Sequence, residues 1–180
     1  MHIISVTPYK EQASREPFGG VNKTEYELCR EGIPISFSSE VDFESTFDAA
    51  IKASIAGQLL GVVKAADYGD GNFYLTDLYT NKLPRDARIK GMGTILLHQM
   101  ACLANQYEYG CIKLAATRSP GEQHPAPFYE RFGFSLNKEF HADESVSECV
   151  EQNHGMTIHM LADTNKVLEY TKHYLDCNNN

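Results

Sequence analysis

The sequence predicts an α/β or α+β fold, in which a mixed sheet of about 6–7 strands is flanked by helices. Three observations support this class. Residues 49–80 are typical of consecutive strands, a helical periodicity begins near residue 91, and residues 111–140 alternate between strand and helix patterns. The chain has 180 residues and a hydrophobic content of 42%, enough for one buried core. We therefore expect one domain over residues 1–180.

The first 48 residues are the least regular part of the chain. "HIISV" is typical of a strand, and "NKTEYELCREGI" is typical of a helix closed by Gly32. Residues 34–47 fit a strand, a loop and a short helix equally well. This part therefore has no unique assignment from its pattern.

From residue 49 the pattern becomes regular. "AAIKASIAGQLLGVVKAADY" reads as two strands joined near Gly57 and Gln58. "YGDGN" then predicts a tight turn into a third strand, "FYLTDLYT", at about residues 73–80. The three strands form an antiparallel meander.

A helix and a second group of strands follow this meander. "GMGTILLHQMACLANQYEYG" has apolar residues at helical spacing and ends at Gly110. Its apolar positions are Met92, Ile95, Leu96, Met100 and Leu103. "CIKLAATRS" is then a short strand, "HPAPFYERF" is a short helix ended by Gly133, and "FSLNKEF" is a further strand. "MTIHML" alternates like a strand, and residues 163–180 form a last amphipathic helix with a frayed tail, capped by Asp163 or Thr164.

Charge and cysteine content exclude several classes of function. The net charge of −8 argues against a nucleic-acid-binding protein and fits a cationic partner, such as an amine, better. No apolar run approaches the roughly 18–20 residues of a membrane span, and the start of the chain lacks the pattern of a signal peptide, so we expect a cytoplasmic protein without a membrane anchor. The five cysteines include no pair at zinc or redox spacing, so we expect reduced thiols and no metal site.

The segment "RIKGMG", residues 88–93, is a candidate anion site. The first N–H groups of a helix lack partners within the helix, the helix dipole adds positive potential there, and glycines let a phosphate approach the backbone. Basic residues surround it, namely Lys82, Arg85, Arg88 and Lys90. The segment lacks the lysine and hydroxyl residue of a nucleotide P-loop and the third glycine of the dinucleotide pattern. On the glycines alone, a helix-start turn without a ligand explains it equally well.

A second segment, "PFYERFGF" at residues 127–134, gives "RIKGMG" a more specific interpretation. The two segments resemble the two signatures of the GNAT N-acetyltransferase family, the first being its arginine-x-x-glycine-x-glycine acetyl-CoA signature. "DLYT" at residues 77–80 resembles the end of the family's central strand. The resemblance covers residues 49–140, so residues 1–48 form a divergent N-terminal part and residues 163–180 an appended helix and tail.

The resemblance implies a mostly antiparallel central sheet, in which the central strand splays from the next parallel strand and the pantetheine of acetyl-CoA occupies the gap. It implies that the backbone of Leu78, Tyr79 and Thr80 faces the pantetheine. It places the pyrophosphate on Arg88 and on the amides of Ile89, Lys90, Gly91, Met92, Gly93 and Thr94. The chain departs from the family in a longer loop before the signature and in lacking the asparagine that often precedes the second helix, for which Ser119 or Gln123 could substitute.

Acetyl transfer to an amine requires an acid and a base. The resemblance places the family's general acid at Tyr129, whose phenol keeps its proton at pH 7. An amine with a pKa of about 10.4 is almost fully protonated near pH 7.4, and removing its proton costs about 4 kcal/mol. The base that takes this proton therefore has more to overcome than the acid that protonates the leaving thiol. Asp77 is the first candidate base, because strand alternation puts it on one face with Phe73, Leu75 and Tyr79. His124 and Glu122 are rivals, and simple packing or hydrogen bonding remains the alternative for Tyr129 and Asp77.

Three functions follow as hypotheses. The first is an acetyl-CoA-dependent N-acetyltransferase that acts by direct transfer to an amine acceptor, since neither signature contains a cysteine. The second is a GNAT-like module that binds acyl-CoA without turnover. In the third, residues 1–48 and the last helix serve assembly, for example as a homodimer. Aromatic residues could line the acceptor pocket, namely Phe43, Phe47, Tyr74 and Tyr79.

Overall fold

A computed structural model describes residues 20–30, 32–43, 47–81, 89–119, 121–141, 144–152 and 157–177. Within these ranges it contains eight strands and four helices. The strands are β1 (Val21–Arg30), β2 (Ile33–Asp42), β3 (Phe47–Ile55), β4 (Gln58–Asp67), β5 (Phe73–Thr80), β6 (Cys111–Ala116), β7 (Ser135–Leu136) and β8 (Ile158–Asp163). The helices are α1 (Met92–Gln106), α2 (Ala126–Glu130), α3 (Val146–Gln152) and α4 (Thr164–Cys177).

The eight strands form one sheet in the order β1-β2-β3-β4-β5-β6-β8-β7. All neighbouring pairs are antiparallel except β5 and β6, which are parallel. The predicted class, a mixed and mostly antiparallel sheet flanked by helices, is therefore confirmed. The predicted count of about 6–7 strands is too low, because the N-terminal part adds an edge strand that its pattern did not identify.

The prediction of a helix in "NKTEYELCREGI" is wrong. Residues 22–30 of this segment belong to β1, which pairs with β2 along its full length, and Gly32 lies in the hairpin turn with a φ of 77°. Alternate residues of β1 turn inwards, and Tyr26 stacks on Phe37 of β2 at a centroid distance of 5.3 Å. The hydroxyl of Tyr26 donates to Gln99 of α1 at 3.0 Å. Pairing with β2 and packing on α1 therefore outweigh the local helix propensity of Glu, Leu and Lys.

The predicted meander from β3 to β5 is confirmed, but β5 contains a bulge. Leu75 pairs with Ala65 and Asp77 pairs with Lys64, which leaves Thr76 as an extra residue. Residues paired across antiparallel strands share a face, so Leu75 and Leu78 face the same side although they are three residues apart. The expectation that Asp77 shares a face with Phe73 and Leu75 is therefore wrong.

Helix α1 packs on the inner face of the meander at a point where only glycine fits. A Cβ atom on Gly61 of β4 would lie 2.6 Å from the carbonyl oxygen of Tyr79 and 2.9 Å from Cδ1 of Leu96. These distances are shorter than any ordinary van der Waals contact. The missing side chain thus lets α1 approach the strands β4 and β5.

Helix α4 packs beside α1 and begins with a capped turn. Oδ1 of Asp163 accepts hydrogen bonds from the N–H groups of Asn165 and Lys166, at 2.9 and 3.2 Å, so Asp163 is the cap. Between the helices, Nδ1 of buried His98 lies 2.8 Å from the hydroxyl of Thr171, which donates its proton to the carbonyl of Val167. Thr171 must therefore accept from His98, whose neutral ring carries its proton on Nδ1.

This buried histidine predicts a loss of stability in acid. Burial, with the charge of Lys172 as a smaller cause, lowers the pKa of His98 from its ordinary value of 6.5. The unfolded chain therefore takes up the proton first, and stability is full above about pH 6.5 and is lost as the pH falls. We expect the free energy of unfolding in urea to fall by up to about 1.4 kcal/mol per pH unit below this point. The His98→Gln variant should lose this slope, and equal slopes in both proteins would contradict the assignment.

The second half of the sheet carries the remaining elements. The predicted strands at β6 and β8 and the short helix α2 are confirmed, whereas "FSLNKEF" contributes only the two residues of β7 before it turns. The predicted strand "HIISV" lies outside the described residues. Within the described ranges, no helix has both the length and the apolar character that crossing a membrane requires.

Candidate functional site

A deep cleft opens where β5 and β6 separate. The two parallel strands pair only at Phe73 with Ile112, Tyr74 with Lys113 and Leu75 with Leu114. Beyond Leu75 the bulge turns β5 away, and β5 continues to Thr80 without β6 as a partner. The resulting cleft has a volume of about 1170 Å³ and is lined by both strands, the start of α1 and helix α2.

The end of β5 presents backbone groups to this cleft. The N–H of Asn81 donates to the carbonyl of Leu60 at 2.8 Å, so residue 81 hydrogen-bonds towards β4. Successive residues of a strand direct their backbone N–H and C=O groups to opposite edges. The backbone groups of Thr80 and Leu78 therefore point into the gap, and those of Tyr79 point towards β4. The contact between Gly61 and the Tyr79 oxygen agrees with this. Only two of the three residues expected to face the gap by their backbone therefore do so, while Tyr79 still lines the cleft.

The start of α1 forms one end of the cleft. Gly91 precedes the helix in the left-handed conformation, with a φ of 81°, which favours glycine. The first helical hydrogen bond runs from the N–H of Ile95 to the carbonyl of Gly91 at 2.9 Å. The N–H groups of Met92, Gly93 and Thr94 have no acceptor within the helix, and the first turn carries no acidic side chain. This end of the cleft is thus suited to an anion.

Most of the residues predicted for the site meet in this cleft. Its lining includes Asp77, Leu78, Tyr79, Thr80, Ile89, Lys90, Gly91, Met92, Gly93, Thr94 and Tyr129. Ser119 and Gln123 line it too, as the two candidates for the place of the missing asparagine. Arg88 lies outside the described residues, as do Lys82 and Arg85. The loop that sets this chain apart from the signature is therefore not part of the described site.

Tyr129 and Asp77 both line the cleft. Tyr129 comes from α2, where it packs edge-on against Phe128 and Phe134, and only 7% of it is exposed. Burial, and secondly the negative charge of Asp77, raises the pKa of Tyr129 above its ordinary value of 10.0. The phenol is thus protonated throughout the neutral range, next to a half-buried carboxylate.

His124 occupies a different position. Its Nδ1 accepts a hydrogen bond from the N–H of Ala126 at 3.1 Å, at the start of α2. It lines a second cavity of about 470 Å³ beside the cleft, together with Arg118 and Arg131. Glu122 lines both cavities. The structure therefore brings Asp77, but not His124, to the cleft that Tyr129 lines.

Three of the four aromatic residues expected around an acceptor lie elsewhere. Phe43 and Phe47 pack against each other and against Tyr107, which follows α1 at its far end. Tyr74 donates a hydrogen bond to Asp70 at 2.6 Å in the turn before β5. Tyr79 alone of the four lines the cleft. The other three rings therefore stabilise the core and a turn and do not line the cleft.

Two residues of the cleft region had no clear signal in the sequence. Tyr174, on α4, lines the cleft next to Gly91. Arg30, at the end of β1, is 6% exposed and also reaches Gly91, with its Nη2 atom 3.6 Å from the position of a Cβ there. An arginine at an inward position of an alternating strand was a usable signal, but the helix prediction for this segment concealed it.

One group of potential metal ligands lies outside the cleft among the described residues. The side chains of His141, Glu144 and Cys149 approach one another within 4.8 Å. Nε2 of His141 accepts a hydrogen bond from the N–H of His159 at 3.0 Å, so the neutral ring carries its proton on Nδ1 and offers no lone pair there. The thiol of Cys149 donates to Glu144 at 2.9 Å, and burial together with this carboxylate raises its pKa to about 11. This arrangement fits a hydrogen-bonded group that joins α3 to β8.

Comparison with known proteins gives matches among solved structures. No protein-family model and no curated protein sequence matches the chain. It is similar to the PaiA N-acetyltransferase of Thermoplasma acidophilum in complex with coenzyme A, with 16% identity, a TM-score of 0.47 and coverage of 64% of this chain and 60% of that chain. It is also similar to N-acetylglutamate synthase of Neisseria gonorrhoeae complexed with coenzyme A and N-acetyl-glutamate. The identity is 13% and the TM-score 0.47, and the match covers 64% of this chain and 25% of that chain. A third similar structure is an aminoglycoside 6'-acetyltransferase type Ii, with 20% identity, a TM-score of 0.47 and coverage of 65% of this chain and 69% of that chain.

Proposed function

We propose that this protein is an acetyl-CoA-dependent N-acetyltransferase that transfers the acetyl group directly to a primary amine in a ternary complex. The observation that carries the proposal is the cleft itself. One continuous space is lined by the edge of β5 that has no partner strand among the described residues, by the start of α1, which is suited to an anion, and by Tyr129 and Asp77. Acetyl-CoA has a part that suits each feature. Its amide-containing arm would lie along β5, its phosphates at the start of α1 and its thioester beside Tyr129 and Asp77.

The backbone supports the binding of such a substrate. The N–H and C=O groups of Leu78 and Thr80 face the edge of β5 that has no partner strand among the described residues, so they can pair with the amides of an extended pantetheine arm, as a further strand would. The pyrophosphate would lie on the N–H groups at the start of α1, where Gly91 and Gly93 leave the backbone accessible. The amides of Ile89 to Thr94, together with Arg88, form the proposed phosphate site.

The side chains support the transfer of protons. Tyr129 holds a proton that it can donate to the leaving sulfur as the bond from sulfur to carbon breaks. The amine must lose a proton as it attacks the thioester carbonyl. Asp77, a carboxylate that lines the cleft, is the proposed acceptor of this proton. His124 is the alternative base, acting from the second cavity.

A thiol-release assay tests the proposal. The protein is mixed with acetyl-CoA and a panel of amines that includes a lysine peptide, a peptide with a free N-terminus, a polyamine and an aminoglycoside. We expect at least one amine to release free thiol above a blank without amine. Binding of coenzyme A by calorimetry without release on any amine would instead favour a module that holds acyl-CoA without turnover.

The pH dependence of the rate distinguishes the two bases. If Asp77 accepts the proton, the rate of the wild type falls towards acid pH, and the Asp77→Asn variant loses this limb with a rate about 10²-fold lower. His124→Ala should keep the limb, because His124 lies outside the lining of the main cleft. The reverse result would assign the role to His124.

A further inference from the structure

Arg30 is a buried arginine next to Gly91, at the proposed phosphate site. It ends β1, the strand that the sequence patterns did not identify, and 6% of it is exposed. Its Nη2 atom and Cε1 of Tyr174 each lie 3.6 Å from the position of a Cβ atom on Gly91. Gly91 and Tyr174 line the cleft, so the guanidinium lies directly behind the cleft wall at the first residue before α1.

One N–H group of the Arg30 guanidinium is left unsatisfied by the described residues. Nε of Arg30 is buried and has no hydrogen-bond partner among the described residues. The start of α1 beside it adds positive potential instead of relieving it, and the first turn of α1 holds no carboxylate. A buried guanidinium N–H without an acceptor is unfavourable, and the positive potential of the helix start next to it increases the penalty. Both observations indicate an anion at this place.

We infer that Arg30 is a phosphate-binding residue, which neutralises a phosphate of coenzyme A held at the start of α1. This inference rests on the proposed function for the identity of the ligand. It gives the β1–β2 hairpin a role, because the hairpin carries the arginine to Gly91 from the far edge of the meander.

Calorimetric titration with coenzyme A tests the inference on the Arg30→Gln variant. The matched control is Lys23→Gln, which removes one positive charge from the exposed face of the same strand, where Lys23 pairs with Glu40 at 3.1 Å. We expect Arg30→Gln to weaken coenzyme A binding at least tenfold and Lys23→Gln to change it less than twofold. Without ligand, Arg30→Gln should melt at the same temperature as the wild type or above it, because the variant no longer buries a charged group with an unsatisfied N–H.

Two further ligands identify the phosphate. Dephospho-coenzyme A lacks the 3'-phosphate, so an equal loss with both ligands assigns Arg30 to the pyrophosphate, and a loss with coenzyme A alone assigns it to the 3'-phosphate. Inorganic pyrophosphate tests the anion site without the rest of the ligand. Unchanged binding in Arg30→Gln, or a loss of binding together with a lower melting temperature of the free protein, would overturn the inference.

The outcome for Arg30 is separable from the outcome for the enzyme. Binding that depends on Arg30, without acetyl transfer to any amine, would refute the proposed function and support the arginine. Acetyl transfer by the wild type with unchanged coenzyme A binding in Arg30→Gln would support the proposed function and refute the role of Arg30.

Discussion

Replacing Tyr129 with phenylalanine is expected to lower the turnover number about a hundredfold while the affinity for acetyl-CoA stays the same. The phenol is buried against Phe128 and Phe134, so the phenylalanine ring can keep these contacts. Under the proposed mechanism the variant loses the proton for the leaving sulfur, and positioned acids typically accelerate a reaction by about 10²–10⁴-fold. Steady-state kinetics with an accepted amine and calorimetry with coenzyme A measure the two quantities.

The pH profile adds a second signature to this substitution. The pKa of Tyr129 is raised, so a rate limited by this acid should show no loss from pH 7 to pH 9 in the wild type. Tyr68→Phe is the matched control, because Tyr68 is 67% exposed in the turn between β4 and β5 and does not line the cleft. A turnover number that is the same in Tyr129→Phe and the wild type would leave the tyrosine with packing alone.

Replacing Gly61 with alanine is expected to reduce the free energy of unfolding by about 1–3 kcal/mol, the usual range for overpacking a core. The new methyl group would lie 2.6 Å from the backbone oxygen of Tyr79, and 3.2 Å from the Cα of Thr80. Backbone atoms cannot move aside as a side chain can. Strand β5 would therefore have to shift just where it borders the cleft, and KM for acetyl-CoA should rise as well.

Gly110→Ala is the control for this prediction. Gly110 lies between α1 and β6, and a Cβ there meets no atom within 4 Å. Urea unfolding should therefore separate the two variants although both add one methyl group. Equal stability of Gly61→Ala and the wild type would mean that α1 does not approach the sheet as closely as described.

Much of the fold around the site could be predicted from the sequence, because local patterns and contacts agree there. Helix α1 shows its periodicity clearly, and its left-handed start at Gly91 is the kind of position where glycine is expected. The strands β3, β4 and β5 are separated by short turns with positive-φ glycines, namely Gly57, Gly69 and Gly71. Each of these signals is contained in a few consecutive residues.

The features that could not be predicted depend on residues distant in the chain. The bulge at Thr76 reverses the face of Asp77, and only the pairing of β5 with β4 shows it. Strand β1 contains good helix formers, and its pairing with β2 and contact with α1 decide its conformation. The backbone direction of Tyr79 likewise follows from its hydrogen-bonding edge. The motif residues of the site were thus predictable as a set, but their orientation was not.

The order of the strands has a consequence for how the molecule is joined. Strands β1 to β5 are neighbours in sequence as well as in the sheet, whereas β6, β8 and β7 require the chain to cross over. The two halves meet along three residue pairs between β5 and β6. The cleft therefore lies between two halves of the sheet. In one half, β1 to β5, neighbouring strands are consecutive in the chain, and in the other, β6 to β8, the strands are brought together from distant parts of the chain. A ligand lying in the cleft would contact both halves at once, so its binding can stabilise a junction that the strands themselves hold with only three residue pairs.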